Sequence, residues 1–248
     1  MNARAICIAP LALALVSGAA QAALQGRDLN GSAASFEAYY DTALNITWLA
    51  DANYVSTSKF DIDGKMTWTA ANTWAANLSF VDTTNHITYD NWRLPNVNPV
   101  NGSTFNYTNS YDGSTDLGYN ISEQGTVFAG STANEMAHLF YNTLDNKGYC
   151  PVSTNCSPVQ MGSGLSNTGP FTNLQAGYYW SALEYAPSTN GAWFFDLNFG
   201  YQAPLVKSNG FYALAVSPGD VAAVPEADTW AMLLAGLGLV GAGVIRRR

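Results

Sequence analysis

Basic residues are scarce in this chain of 248 residues. It has 10 lysines and arginines against 18 aspartates and glutamates, which gives a net charge of −8 at neutral pH. Nucleic-acid binding depends mainly on cationic contacts to phosphate, so this balance argues against a nucleic-acid partner. It argues equally against a bare sulfated polysaccharide, unless the few cations are clustered.

Histidine is rarer still, with only His86 and His138. Glu135 and His138 form a Glu-x-x-His step, which on a helix is half of a di-iron site. The second half is missing, because His86 lies in a polar stretch without such a step. There is also no Gly-x-Ser-x-Gly nucleophile motif. We therefore expect no catalytic residue and no histidine-bound metal.

Cysteine is limited to three positions, two of which close a short loop rich in turn formers, Cys150-Pro-Val-Ser-Thr-Asn-Cys156. In an oxidising compartment such a pair is expected to form a disulfide. A metal site is the alternative, but two thiols without nearby histidines make a poor zinc ligand set.

Long uncharged apolar runs occur only near the two ends of the chain. The C-terminal run covers residues 229–245 and is followed by three arginines, 246–248. Its length is at the short end of the roughly 17–25 residues that span a bilayer, and the arginines favour a cytoplasmic C-terminus. A buried core helix is the alternative, but four glycines within the run and a terminal arginine block are more typical of a membrane stop.

Ahead of this run stands Pro225-Glu226-Ala227. The order of this tripeptide, apolar run and arginines resembles the PEP-CTERM sorting signal, here residues 224–248. The resemblance implies an exosortase-type protease as partner, an inner-membrane intermediate held by the C-terminal transmembrane helix, and delivery to the cell surface or extracellular matrix. The family usually has proline where this chain has Ala227, which bears on cleavage efficiency.

The N-terminus is typical of a secretory signal peptide, predicted at residues 1–22. Arg4 supplies the positive charge, residues 6–16 the apolar segment, and Ala20-Gln21-Ala22 a small-residue cleavage site. A membrane helix is the alternative, but the apolar segment is too short. Removal of both ends would take away four basic residues (Arg4 and the last three arginines) and two acidic ones (Glu226 and Asp228). Six basic and 16 acidic residues would then remain, which gives a net charge of −10.

The body of the chain has room for one large domain, predicted at residues 23–220. Two short strands are predicted at residues 36–40 and 46–50, and an amphipathic helix over residues 66–78. Residues 96–124 lack any period and predict a long surface loop.

A second helix is predicted after a capping box at Thr132-Ala-Asn-Glu135. Its apolar stripe is expected in the core and consists of Met136, Leu139, Phe140 and Leu144. Three aromatic strands follow at residues 178–185, 192–199 and 211–216. Four tryptophans are expected to anchor the core: Trp48, Trp68, Trp74 and Trp180.

Motifs spread over the body resemble the DUF1566 domain, also called the Lcl C-terminal domain. They are Trp68 with Ala71, Trp92-Arg93-Leu94-Pro95, Asn134-Glu135-Met136 with Leu139, Tyr179-Trp180-Ser181, Ala192-Trp193-Phe194-Phe195, Gly200, Lys207 and Tyr212-Ala-Leu-Ala-Val216. The family's usual cysteines are absent here, and the loop after Pro95 is longer.

This resemblance implies an extracellular α+β module with a C-type-lectin-like arrangement, in which two helices pack on a curled antiparallel sheet. Family members are surface or secreted proteins, some of them implicated in adhesion or glycan binding. The motif residues are expected to be structural. Arg93 has two interpretations, an ion pair with an acidic residue such as Glu135 or a contact to a ligand anion. We favour the ion pair, because a semi-buried arginine needs a partner.

Two pairs of carboxylates are candidates for a calcium site, Asp61 with Asp63 and Asp112 with Asp116. Neither completes an EF-hand loop, and Asp-Gly pairs are common in turns. We therefore expect no cofactor, with calcium as the one candidate.

The sequence favours an exported, non-enzymatic surface or matrix protein that binds glycan or exopolysaccharide through aromatic and amide side chains. Two alternatives stay open. One is a hydrolase of envelope polymers, which would need two carboxylates in a cleft. The other is a structural coat protein without a small ligand.

Overall fold

The computed structural model describes residues 24–32, 35–152 and 154–221. The predicted signal peptide at residues 1–22, Pro225-Glu226-Ala227 and the apolar run at residues 229–245 lie outside these described ranges. Within them, no helix has the length and apolar character needed to cross a bilayer.

The described residues form a sheet-rich α+β structure, in agreement with the predicted class. Its strands are β1 (Leu24–Arg27), β2 (Ala38–Asp41), β3 (Ile46–Leu49), β4 (Phe80–Asp82), β5 (Ile87–Tyr89), β6 (Asn109–Ser110), β7 (Leu117–Tyr119), β8 (Tyr178–Glu184), β9 (Gly191–Asp196), β10 (Tyr201–Val206) and β11 (Val216–Pro218). They make a four-stranded sheet in the order β1-β2-β3-β11, a five-stranded sheet in the order β6-β7-β10-β9-β8, and the hairpin β4-β5. Among the strands of the described residues, β6 and β7 pair in parallel and the other pairs are antiparallel.

Three of the predicted aromatic and apolar strands correspond closely to β2, β3 and β8. The strand predicted at residues 192–199 ends earlier, at Asp196, because a turn at residues 197–200 leads directly into β10. Gly200 has a φ of +66° in that turn, and a Cβ there would lie 2.4 Å from the Tyr141 hydroxyl. Glycine is therefore needed to bring β10 back beside β9.

The strand predicted at residues 211–216 is wrong in position. Phe211 and Tyr212 make only isolated bridges, to Met66 and Tyr179, and the strand begins at Val216. The sequence analysis also missed β10, which contains Pro204 and follows Gly200. Pro204 is tolerated because β7 pairs with β10 only at Tyr201 and Gln202, so the missing N–H faces no partner strand.

The prediction of a surface loop over residues 96–124 is wrong in its second half. Residues 109–119 contribute β6 and β7 to the five-stranded sheet. Asp116 and Ile121 are fully buried. The side chain of Asp116 accepts hydrogen bonds from the Val100 and Asn106 N–H groups, both at 2.7 Å, and so closes the loop onto the sheet.

The helices are short. They are α1 (Tyr54–Thr57), α2 (Trp68–Ala76) and α3 (Glu135–His138), which continues as a π-helical turn over Leu139–Thr143. Helix α2 confirms the prediction for residues 66–78, with Thr67 as N-cap accepting from the Ala70 N–H.

The prediction of a capping box at residues 132–135 is wrong. The N-cap of α3 is Asn134, and Glu135 is the first helical residue rather than the third. The Glu135 carboxylate binds Arg93 and the Asn96 N–H instead of capping the helix. The predicted apolar stripe is nevertheless buried, as expected for a core-facing helix.

The core is one apolar cluster shared by the sheets and helices. Trp48, Trp74 and Trp180 are buried in it, as predicted. Trp68 is only half-buried; its ring lies under the Lys207 ammonium at 4.4 Å from the ring centroid. The π-helical turn packs against one face of the five-stranded sheet through Phe140 and Phe195, whose ring centroids are 5.6 Å apart.

Candidate functional site

The residues of the Trp-Arg-Leu-Pro motif contact segments that are distant in the sequence. Arg93 and Glu135 form a bidentate ion pair, with Nη1–Oε2 and Nη2–Oε1 distances of 2.7 Å. Trp92 and Leu94 are buried, and the Pro95 carbonyl accepts from the Ala182 N–H of β8. The structure thus places Arg93 in the predicted ion pair.

The motif tryptophans Trp180 and Trp193 are also buried. The Trp180 indole N–H donates to the Met66 carbonyl at 2.8 Å. The Trp193 ring stacks on the rings of Phe105 and Tyr107. The centroid distances from Trp193 to these two rings are 5.8 and 6.2 Å. Both side chains are enclosed by protein, so neither offers a ring face to a ligand.

Cys150 and Cys156 are joined in a disulfide, as predicted. The loop they close is tied to the five-stranded sheet by Asn120, whose amide donates to the carbonyls of Cys150 and Tyr111.

The candidate calcium ligands are not brought together. Asp112 is exposed and binds the N–H and hydroxyl of Ser114, whereas Asp116 is buried in its loop-closing role. In the Asp61–Asp63 turn, each carboxylate accepts from a nearby backbone N–H. Among the described residues there is no group of three or more His, Cys, Asp or Glu that could hold a metal ion.

His138 does not share a site with Glu135. Its Nδ1 lies 3.1 Å from the Ser131 carbonyl oxygen, and its Nε2 is buried without a partner. The Glu135 carboxylate is occupied by Arg93 and by the Asn96 N–H. The Glu-x-x-His step is therefore part of the local packing.

A row of four side chains crosses one face of the five-stranded sheet, and we call it the tyrosine row. It comprises Tyr119 on β7, Tyr201 on β10, Asp196 on β9 and Tyr178 on β8. Each is the direct cross-strand partner of the next. Directly opposed residues project from the same face, so the four side chains lie side by side.

Tyr111 extends the row beyond β7. Its ring is parallel to that of Tyr119, with centroids 5.8 Å apart and an interplanar angle of 10°. The ring of Tyr119 in turn contacts Tyr201 at 4.7 Å. Tyr111 is 37% exposed, and Tyr119 and Tyr201 are half-buried. The result is an aromatic surface whose Tyr111 end is exposed to solvent.

The other end of the row opens into a cleft of about 250 Å³. Its described lining residues are Lys65, Ala176, Gly177, Tyr178, Asp196, Asn198, Gly210, Phe211 and Tyr212. Tyr178 is 41% exposed and rests on Phe211, with centroids 5.0 Å apart. The Lys65 ammonium lies 5.3 Å from the Tyr212 ring centroid. Aromatic rings, an amide and two opposite charges therefore meet in one recess.

Burial raises the pKa values of three side chains in the tyrosine row. It raises the pKa of Asp196 to about 6, although the backbone N–H groups of Asn198 and Phe199 partly offset the shift. Burial also raises the pKa of Tyr119 and of Tyr201. Both phenols thus keep their protons at neutral pH and remain hydrogen-bond donors.

This arrangement suits recognition of a polyhydroxylated ligand. The exposed rings of Tyr111 and Tyr178 offer apolar surface. The tyrosine hydroxyls, the Asn198 amide and the Asp196 carboxylate offer donors and acceptors. A glycosidase needs two carboxylates flanking the bond to be cut. Asp196 is the one carboxylate among the described residues that line the cleft.

Sequence reasoning missed Tyr119, Tyr201 and Asp196 as site residues. Tyr119 fell within the predicted loop, and Tyr201 within the missed strand. The one signal in the sequence is that each of these three residues is polar or aromatic and lies at the end of its strand, next to a turn. Only the strand order β7-β10-β9-β8, which is not the chain order, places these residues in one row.

The comparisons with known proteins concern the C-terminal end. The model of the PEP-CTERM protein-sorting motif matches residues 223–248. No curated protein and no solved structure matches the chain. The DUF1566 resemblance of the body gains no support from them. The motif at residues 223–248 indicates an exported protein that is processed by exosortase and destined for the cell surface.

Proposed function

We propose that this protein is a non-enzymatic surface or extracellular-matrix component that binds glycan or exopolysaccharide along the tyrosine row. The observation that carries the proposal is the uninterrupted run of aromatic and acidic side chains across four strands. Aromatic rings pack against the apolar faces of sugar rings, and hydroxyl and amide groups satisfy sugar hydroxyls. The lectin-like function implied by the DUF1566 resemblance agrees with this assignment.

The dimensions of the row favour an oligosaccharide over a single sugar. Tyr178 and Tyr119 are separated by three interstrand steps, or about 14 Å at about 4.8 Å per step. Tyr111 lengthens the surface further. A polymer chain lying across the strands would contact several rings at once, and many weak contacts then add up.

Charge favours a neutral ligand. Arg27, Arg93 and Lys207 are engaged in ion pairs with Asp220, Glu135 and Glu184. A densely sulfated polymer would meet few available cations on this acidic domain.

For the tail, we propose that the apolar run at residues 229–245 holds the chain in the inner membrane until exosortase cleaves near Pro225-Glu226-Ala227. The length and charge flanks of the run support this membrane step. A protein that stays uncut and membrane-bound in an exosortase-competent host would show that the run is a permanent anchor.

A glycan array, together with a pull-down using the host's own exopolysaccharide, tests the binding proposal. The mature protein is expected to bind the polysaccharide, and the Tyr111→Ala variant to bind it weakly. Phe60→Ala is the matched control, because Phe60 is an exposed aromatic residue outside the row. Absence of binding to every glycan would contradict the proposal, and light scattering would then test self-association as a coat protein.

A further inference from the structure

Asp196 occupies an unusual position for a buried carboxylate. It is 2% exposed, stands between Tyr201 and Tyr178 in the tyrosine row, and lines the cleft. None of the three ion pairs between described residues includes it. Its Oδ1 accepts a hydrogen bond from the Asn198 N–H at 2.9 Å.

Other buried aspartates are used differently. Asp82 and Asp116 engage both carboxylate oxygens with donors of their own loops. Asp41 accepts from the Ala43 N–H with one oxygen and from the Thr143 hydroxyl with the other. Oδ2 of Asp196 accepts no hydrogen bond from a described residue and is not among the buried unpaired atoms. This oxygen therefore remains available on the cleft side.

The groups around Asp196 define what it can bind. The phenols of Tyr201 and Tyr178 flank it, Tyr119 lies one strand farther along, and Lys65 and Tyr212 line the same cleft. An ionised carboxylate is purely an acceptor, with room for about four hydrogen bonds. Its natural partners in a neutral polysaccharide are hydroxyl groups on adjacent carbons, which can donate one hydrogen bond to each oxygen.

We propose that the cleft is a subsite for one sugar residue with two adjacent free hydroxyl groups, which donate to the Asp196 carboxylate. The rings of Tyr178 and Tyr212 contact the sugar, and Asn198 supplies a further donor or acceptor. This inference rests on the proposed glycan binding and narrows it to sugars that carry an unsubstituted vicinal diol.

A pH dependence follows from this assignment. The ionised carboxylate binds the diol, and protonation removes one acceptor site and introduces a competing donor. Because burial raises the pKa of Asp196 to about 6, the ionised fraction falls about tenfold between pH 7 and pH 5. Affinity at this subsite should fall in the same direction.

The test uses the mature protein and the host exopolysaccharide, in untreated form and after mild periodate oxidation. Periodate cleaves the carbon–carbon bond of free vicinal diols to two aldehydes and is itself reduced to iodate. Wild-type protein should bind untreated polymer about tenfold more weakly at pH 5 than at pH 7. It should bind the oxidised polymer only weakly. Asp196→Asn, of the same shape, should bind weakly at both pH values.

Asp90→Asn is the control, because Asp90 is exposed and lies outside the cleft; it should behave as wild type. Equal binding of oxidised and untreated polymer, or an Asp196→Asn variant with the wild-type pH profile, would overturn the inference. If Asp196→Asn fails to fold by circular dichroism, the periodate and pH measurements on wild type still decide. Binding that is lost in Tyr111→Ala but unchanged in Asp196→Asn would leave the proposed function intact, whereas no binding at all would contradict that function.

Discussion

Replacing Arg93 by methionine should destabilise the domain far more than removing a surface charge. The Glu135 side chain, 10% exposed, would keep only the Asn96 N–H at 2.7 Å as a donor. Removing one partner of a buried ion pair costs about 3–5 kcal/mol. Because the Arg93 side chain is 27% exposed and water can reach the vacated space, we expect a loss of about 2–4 kcal/mol. For a domain of this size that is a decrease of about 5–15 °C in melting temperature.

The assay is urea unfolding followed by circular dichroism, with Glu184→Gln as the control. Glu184 pairs with Lys207, but its side chain is 42% exposed, so its loss should cost at most about 1 kcal/mol. The double variant Arg93→Met/Glu135→Leu should recover part of the stability, since no unpaired charge is left buried. If Arg93→Met costs no more than Glu184→Gln, the structural role of the ion pair is refuted.

Three further predictions concern the stability and processing of the protein. Burial raises the pKa of Glu123 from 4.5 to about 7, so its stabilising contribution is complete below pH 4.5 and is lost as pH rises through 7. Glu123→Gln should therefore match wild type at pH 4 and exceed it by about 1–2 kcal/mol at pH 8 in urea unfolding, after allowance for solvent screening; equal stability at pH 8 would contradict this. Reduction of the disulfide, or a Cys150→Ser/Cys156→Ser double variant, should cost about 2 kcal/mol in the same assay, because the closed loop is short; no change would show that the loop adds nothing. Mass spectrometry of the mature protein should give ends near residues 23 and 224, and Ala227→Pro should increase the cleaved fraction in an exosortase-competent host, whereas an unchanged fraction would show that position 227 does not limit cleavage.

Local features of the fold were predictable from the sequence because they depend on neighbouring residues. Helix α2 followed from apolar spacing, and the disulfide from two cysteines in a short loop. The ion pair of Arg93 with Glu135, 42 residues apart, was predictable from a family resemblance and from the need of a semi-buried arginine for a partner. The same pair explains why the capping box failed, because Glu135 binds Arg93 more favourably than it could cap its own helix.

The candidate site depended on information that a single sequence does not contain. Pro204 and Gly200 argue against a strand locally, yet β10 forms because all of its residues pair with β9, whereas β7 pairs with Tyr201 and Gln202 alone among the described residues. Tyr119 lies in a polar segment with no periodicity, and its role follows from pairing with Tyr201, which is 82 positions later in the sequence numbering. Register between distant strands is set by the packing of the whole core, so the tyrosine row emerges only with the tertiary structure.

The most direct test of glycan binding along the tyrosine row is the dissociation constant for the host exopolysaccharide, measured at pH 7 by titration calorimetry. Tyr111→Ala and Tyr178→Ala remove exposed rings at the two ends of the row and should each weaken binding about tenfold, or about 1.4 kcal/mol. Phe60→Ala should bind as wild type does. The account is contradicted if both tyrosine variants retain wild-type affinity, or if Phe60→Ala loses as much affinity as they do.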